Sequence, residues 1–197
     1  MLYESHKQIA ISWAFLGTMI IYIYGLTEIN YYLALIIMVP FTKMGAVFPD
    51  IDHNWKYVKF KNPLTWVINK SISLTGGKHR SWQTHSLDIS LLSVLTAFTL
   101  PSSLYEAEWI SLVDKEVLSI ILVSFNLGWL SHIFGDMLTS GKVRLTCLSN
   151  RKIGLVPRRL FGISFDTGSG WEDFINKVIS YLNIPLGILA LIFPEIL

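Results

Sequence analysis

One stretch in the second half of the chain decides the fold: Ser131-His132-Ile133-Phe134-Gly135-Asp136-Met137-Leu138-Thr139. It ends the long apolar run 117–134 with an imidazole and a carboxylate. Because His132 and Asp136 are four residues apart, a helix places them on one face, one turn from each other. Such a pair is half of a site for a divalent metal. The stretch therefore predicts an apolar helix that ends in metal ligands.

The composition is typical of a membrane protein. Hydrophobic residues make up 52% of the 197 residues and charged residues only 15%, whereas soluble domains contain about 25% charged residues. The mean hydropathy is +0.48. Other apolar runs lie at 9–26, 31–48, 86–100 and 178–193. Most are long enough to cross a bilayer as helices, although 86–100 is short. A soluble enzyme with apolar core helices is the alternative.

The runs predict an all-α polytopic membrane bundle that forms a single domain over residues 1–197. The first four runs form the core helices, and the C-terminal run adds a fifth helix. The polar segments 54–84 and 139–171 would cap one end, where 152–157 and 160–166 would form a small β-hairpin. The single cysteine excludes an internal disulfide. The first run lacks the flanks of a cleavable signal peptide.

The direction of the runs brings every histidine to the same membrane face. If the first four helices alternate in direction, one face collects the start of runs one and three and the end of runs two and four. All five histidines and three aspartates lie at these points: His6, Asp50, Asp52, His53, His79, His85, His132 and Asp136. Because ionisable residues within membrane segments are functional by default, this face is the predicted site.

The basic residues indicate which face that is. Of the 16 Lys and Arg residues, only Lys115 falls on the opposite side, among acidic neighbours. Cytoplasmic loops carry the excess of Lys and Arg in membrane proteins. We therefore expect a multi-pass protein of the inner, cytoplasmic membrane. Its site would face the cytoplasm, within reach of the lipid headgroups.

The eight clustered side chains are candidate metal ligands. Three or four protein ligands hold one catalytic zinc ion, so eight suit two divalent ions, with supporting residues to spare. The mixture of imidazole and carboxylate favours zinc, with manganese or iron as alternatives. A pair of such ions makes water nucleophilic at neutral pH and holds the oxygens of a phosphoryl group.

Two residues are candidate catalytic groups beside the metals. Arg80 lies between two candidate ligands and is placed to bind an anionic substrate or to stabilise transition-state charge. Asp52, or Asp50, would act as general base if it is not a ligand. Alternatively, these aspartates only mark a helix end and a cap. We expect Asn126, in the middle of its run, to form a hydrogen bond between helices.

These residues resemble, in type and order, the bacterial membrane-bound metal-dependent hydrolase family described as LexA-regulated and YdjM-like. The resemblance covers nearly the whole chain and implies metal-dependent hydrolysis. Its motifs are His6, Pro49-Asp50-Ile51-Asp52-His53, His79-Arg80, Thr84-His85-Ser86, and Ser131-His132 with Asp136 and Thr139. The His/Asp-rich set and the His-x-x-x-Asp helix are more distantly similar to zinc-dependent phospholipase C. That similarity suggests a phospholipid or another phosphoester as substrate.

We therefore expect a membrane-bound metal-dependent hydrolase, a phosphoesterase that acts on phospholipid or another headgroup-level phosphoester through a dinuclear site. Its partners would be membrane lipid and an anionic phosphoester, and no nucleic acid, with the oligomeric state left open. An amide or ester hydrolase using the same metals is one alternative. A non-enzymatic metal-binding or transport protein is another, although transporters place ligands near the bilayer midplane rather than at helix ends.

Overall fold

A computed structural model describes residues 3–58, 61–77, 80–139, 142–149, 151–156, 159–160, 163–164 and 166–196. Seven α-helices lie within them: α1 (Tyr3–Ile23), α2 (Tyr31–Val47), α3 (Pro63–Leu74), α4 (Trp82–His85), α5 (Leu87–Glu106), α6 (Leu112–Met137) and α7 (Gly170–Ile192). Two 3₁₀ turns, Pro49–Asp52 and Phe193–Glu195, follow α2 and α7. The predicted all-α polytopic bundle is confirmed.

Four helical segments of the described chain are long and apolar enough to cross a membrane: Tyr31–Asp52, Leu87–Glu106, Leu112–Met137 and Gly170–Glu195. The third apolar run ends before Pro101 in the sequence, but its helix continues to Glu106. A proline is tolerated there because neighbouring groups in a membrane bundle satisfy the freed carbonyl. Helix α1 carries polar residues in its first turns and packs against α2, α6 and α7. Its own crossing of the membrane stays a prediction.

Short strands in the polar segments form two separate antiparallel ladders. They are β1 (Val143–Arg144) with β2 (Lys152–Ile153), and β3 (Arg159–Leu160) with β4 (Ile163–Ser164). The predicted hairpin between 152–157 and 160–166 is therefore wrong in its pairing. The first segment is held elsewhere, because the N–H of Leu155 donates to the carbonyl of Met137 at 2.8 Å. This bond ties the cap to the end of α6.

Helices α2 and α6 cross closely because both carry glycine at the contact. A Cβ at Gly45 would overlap the carbonyl oxygen of Phe125, and one at Gly128 would overlap that of Thr42. Small residues let helix backbones approach in this way in membrane bundles. Ala46 follows the first glycine directly, and His132 lies one turn beyond the second. The crossing therefore sets the distance between the α2 backbone and the α6 histidine.

Polar side chains join the helices within the bundle. The hydroxyl of Ser93 on α5 donates to the side-chain oxygen of Asn126 on α6, which confirms the helix-to-helix bond predicted for this asparagine. Asn183 on α7 accepts from Ser12 at 2.6 Å and donates to the side-chain oxygen of Gln8 at 3.1 Å. These bonds fix the neighbours of α6 and α1, which carry three of the candidate ligands.

Candidate metal centre

Five of the predicted ligands meet at one end of the bundle. His6 lies in the first turns of α1, and Asp50 lies in the 3₁₀ turn after α2. His85 is the last residue of α4, just before α5. His132 and Asp136 occupy the final turns of α6. The alternating direction of the helices therefore brings together segments that are far apart in the chain.

The ligand atoms of these residues lie at the separations expected around a metal ion. Nε2 of His132 is 3.2 Å from Nε2 of His85, and it is 3.8 Å from Oδ2 of Asp136 and 3.9 Å from Oδ1 of Asp50. Nε2 of His6 is 3.5 Å from Oδ1 of Asp136. Two ligands of one tetrahedral zinc ion are about 3.3 Å apart when each bond is near 2.0 Å. These distances are compatible with a shared ion.

Among the described residues, two groups of three ligand atoms are close enough together to hold one metal ion. Within each group, all atoms lie within 4.8 Å of one another; the groups are His6, His132 and Asp136, and Asp50, His85 and His132. His132 belongs to both. Either group could therefore hold an ion, and the shared imidazole makes them neighbouring parts of one centre.

The proton on each of two central imidazoles can be assigned from its partner. Nδ1 of His132 lies 2.7 Å from the carbonyl oxygen of Ala46, which can only accept, so Nδ1 carries the hydrogen. Nδ1 of His85 lies 3.1 Å from Oδ2 of Asp52 and donates to this carboxylate. In the neutral rings, the two Nε2 lone pairs therefore face each other. A cation between them removes their repulsion, so the donor set fits a metal.

Burial makes this arrangement costly without a partner charge. His6, His85, His132 and Asp136 are each at most 1% exposed. The rings of His6 and His132 stack with centroids 3.7 Å apart, and Nδ1 of His6 has no hydrogen-bond partner within the described part of the chain. Buried polar groups that lack partners lose several kcal/mol of solvation. Such a cluster is typical of a binding site rather than of structural packing.

Asp52 lies behind His85 and not among the five converging side chains. Its Oδ2 accepts the N–H and the hydroxyl of Ser81 at 2.9 and 3.1 Å, the hydroxyl of Thr84, and Nδ1–H of His85. A carboxylate on the far nitrogen of a ligand histidine fixes its tautomer and orientation. Asp52 is therefore in the place of a residue that orients His85, whereas its predicted role as a ligand or general base stays a prediction.

Two further predicted site residues, Arg80 and His53, lie outside the two groups of ligand atoms. The guanidinium of Arg80 lies 3.4 Å from Oδ1 of Asp136. His53 belongs to neither group of ligand atoms and packs its ring against Tyr57, with centroids 5.1 Å apart. His79, also predicted as a ligand, lies outside the described residues.

Four supporting groups were missed by sequence reasoning. Ser81 and Thr84 hold Asp52, and the Ala46 carbonyl orients His132. Asn69 on α3 donates to the carbonyls of Ile51 and His53 at 2.6 and 2.9 Å, which fixes the turn that carries Asp50. The Ser-x-x-Thr-His spacing was a usable signal for the first two. The role of the Ala46 carbonyl could not be predicted, because every residue has a backbone carbonyl.

A cavity of about 810 Å³ opens beside the centre. Asp50, His53 and Arg80 stand in its wall, and most of its remaining lining is apolar. The side chain of Asp50 is 30% exposed, in contrast to the buried side chains behind it. The cavity therefore gives a ligand access to the centre past Asp50 and Arg80.

One sequence comparison identifies the family of the chain. The family model described as YdjM inner membrane protein matches residues 6–184. No significant match was found among curated proteins or among solved structures. The more distant similarity to zinc-dependent phospholipase C thus has no support in these comparisons. The matched range begins at His6, includes all five converging side chains and covers most of the protein, which therefore belongs to the YdjM inner membrane protein family.

Proposed function

We propose that this protein is a membrane-bound metal-dependent hydrolase whose substrate is a phosphoester at the level of the lipid headgroups. One observation supports it most. Nε2 atoms of His85 and His132 face each other at 3.2 Å, and carboxylate oxygens of Asp50 and Asp136 lie within 3.9 Å of the second imidazole. These two imidazole nitrogens and the carboxylate oxygens beside them are acceptors, and a divalent cation is a partner that suits them.

The shared His132 bears on the number of ions. One Nε2 atom binds one ion, so the two groups describe alternative positions of a single tightly held ion. A second ion, as the sequence predicts, would need ligands outside the shared imidazole. Asp50 and His53, which both line the cavity, are the candidates for it. Zinc is the expected metal, with manganese or iron as alternatives.

The surrounding residues have distinct roles in this proposal. A bound divalent ion would polarise a phosphoryl oxygen and acidify water. Arg80 would bind a phosphoryl oxygen, since its guanidinium borders both the cavity and Asp136. Asp50 would serve either as a ligand or as the general base, because it reaches the cavity. Asp52 would hold the His85 ring and its Nδ1 proton in place.

We further propose that the centre faces the cytoplasm. Fifteen of the 16 basic residues lie on its side of the helices when the runs alternate, and Lys115 is the exception. Cytoplasmic segments carry this excess. The substrate would then be a lipid phosphoester of the inner leaflet or a molecule that reaches it from the cytoplasm.

Metal content and chelator-sensitive hydrolysis test the proposal together. The protein is purified in detergent, analysed for metals, and assayed on phosphatidic acid and phosphatidylglycerol in mixed micelles, with and without a chelator. Asp136→Asn should lower metal content and hydrolysis at least about 100-fold, since losing a supporting residue alone costs 10–100-fold. Asp173→Asn, the same change at an exposed position, is the matched control. Hydrolysis that survives complete removal of metal would contradict the proposal.

The same preparation separates the alternatives. Cleavage of carboxylic esters or amides, but of no phosphoester, would assign the metals to the other hydrolase class. Zinc flux into vesicles without any hydrolysis would show that the protein is a transporter and not an enzyme. The position of the ligands at the ends of helices favours the enzyme, because transport sites lie near the bilayer midplane.

A further inference from the structure

The cavity beside the centre has a polar end and an apolar body. Its polar end carries Asp50, His53 and Arg80. The body is lined by Met44 and Val47 of α2, Phe48 directly after it, Leu64 and Ile68 of α3, and Phe125 of α6. Its volume of about 810 Å³ falls within the range of sites that bury a drug-sized ligand. A small soluble phosphoester would leave this apolar wall uncovered.

Helix α3 exposes several large apolar side chains. Leu64, Val67 and Leu74 are 67%, 51% and 87% exposed, and Trp66 is also exposed. Lys70 is exposed on the same helix, whereas Asn69 is buried and donates to the carbonyl of Ile51 in the turn after α2. A helix with exposed apolar side chains, a tryptophan and a lysine is suited to the boundary between headgroups and acyl chains. The outer wall of the cavity would therefore border lipid rather than water.

We propose that the cavity binds an acyl chain of an anionic phospholipid, which enters from the bilayer past α3. This inference rests on the proposed function, because it places the phosphate of that lipid at Arg80 and the candidate centre. Charge complementarity supports the occupant. The single lysine or arginine in the described lining is Arg80, whose guanidinium lies 3.4 Å from Oδ1 of the buried Asp136. A lipid supplies both the anion and the chain in one molecule.

The proposal predicts that chain contacts, and not the headgroup alone, determine binding. Filling the apolar body should exclude long-chain lipids and leave short soluble phosphoesters unaffected. Ile68→Trp fills the cavity from α3, and Val67→Trp puts the same side chain on the exposed face of the same helix as a matched control. Met44→Trp fills the cavity from α2, at a position that is itself 39% exposed.

Photocrosslinking measures occupancy without relying on hydrolysis. Chelator-treated full-length protein is placed in phosphatidylcholine vesicles that contain phosphatidic acid with a diazirine in the acyl chain, and the crosslinked peptides are identified. In the wild type, crosslinks should map to Val47, Phe48 and Phe125. Ile68→Trp and Met44→Trp should each reduce them roughly tenfold, since several buried methylenes are lost at about 0.8 kcal/mol each. Val67→Trp should leave them unchanged.

The outcomes distinguish this inference from the proposed function. Cavity crosslinks that Ile68→Trp abolishes, in a protein that hydrolyses no phosphoester, would support lipid binding and overturn only the enzyme. Hydrolysis of soluble and long-chain phosphoesters that is equally insensitive to both cavity variants would overturn the chain site and keep the enzyme. Crosslinks confined to the outer faces of α5 and α7 would also overturn the acyl-chain site, since such crosslinks report only contact with the surrounding bilayer.

Discussion

Two regions of this bundle hold polar side chains in contact, and they differ in how donors and acceptors are matched. Within the bundle, Ser93 donates to Asn126, while Asn183 accepts from Ser12 and donates to Gln8. Each donor there has an acceptor. At the end of the bundle, the Nε2 atoms of His85 and His132 and carboxylate oxygens of two aspartates lie close together, and these atoms are acceptors. The first region holds helices together by its own hydrogen bonds, whereas a cation would complete the second.

The largest expected effect separates the two regions directly. His132→Ala removes the imidazole shared by both groups of ligand atoms, so metal content and hydrolysis should fall by at least about 1,000-fold, beyond the 10–100-fold cost of losing a supporting residue. The variant Asn126→Ala, changed nearly two turns earlier on α6, should contain as much metal as the wild type. Elemental analysis and the phosphoester assay measure both. Equal metal loss in the two variants would break the comparison.

Metal binding should stabilise the protein only through the end region. Zinc at about 100 times its Kd should raise the free energy of unfolding by about 2.7 kcal/mol, because it binds the folded state alone. Asn126→Ala should show the same increment and His132→Ala none. Denaturant unfolding in detergent micelles measures it. A full zinc effect in His132→Ala would show that the metal binds elsewhere.

Asp52 tests whether a residue behind a ligand acts through it. Asp52→Asn keeps the shape but weakens the acceptor for Nδ1–H of His85, so metal affinity should fall about 10–100-fold. Ser81→Ala removes one of several donors to the same carboxylate and should cost less. Competition with a chromophoric chelator measures the affinity. Lost hydrolysis at unchanged affinity would instead make Asp52 the general base.

The smallest effect is expected within the bundle. Ser93→Ala removes the donor to Asn126 and should lower the free energy of unfolding by about 0.6 kcal/mol, the average for such bonds between membrane helices. Its metal content should equal that of the wild type. Denaturation in micelles and elemental analysis check the two parts. A change in metal content would show that the bond between α5 and α6 affects the ligand cluster, contrary to the independence of the two regions assumed here.

Much of the candidate site follows from connectivity. The helix that contains His132 and Asp136 could be predicted from its apolar run and from the four-residue spacing of these two side chains. The alternation of helix direction then predicts that His6, Asp50 and His85 share its end, and they do. These inferences use only the length and order of segments. They need no knowledge of which side chains touch.

Other features depend on partners distant in the chain. The predicted hairpin was wrong because 152–153 pairs with 143–144, next to the end of α6, to which Leu155 bonds. Asp52 looks like Asp50 in sequence, yet one carboxylate contacts the back of His85 and the other lines the cavity. The burial of Asn69 on α3 likewise depends on the carbonyls to which it donates.

By itself, the sequence determined an apolar helical bundle with imidazoles and carboxylates at the helix ends, because hydropathy and segment order are local properties of the chain. Only the tertiary structure decided that the Nε2 atoms of His85 and His132 face each other and that Asp52 lies behind His85. The physical reason lies in the crossing of α2 and α6 at Gly45 and Gly128. That contact brings the Ala46 carbonyl to His132 and so turns its Nε2 toward His85.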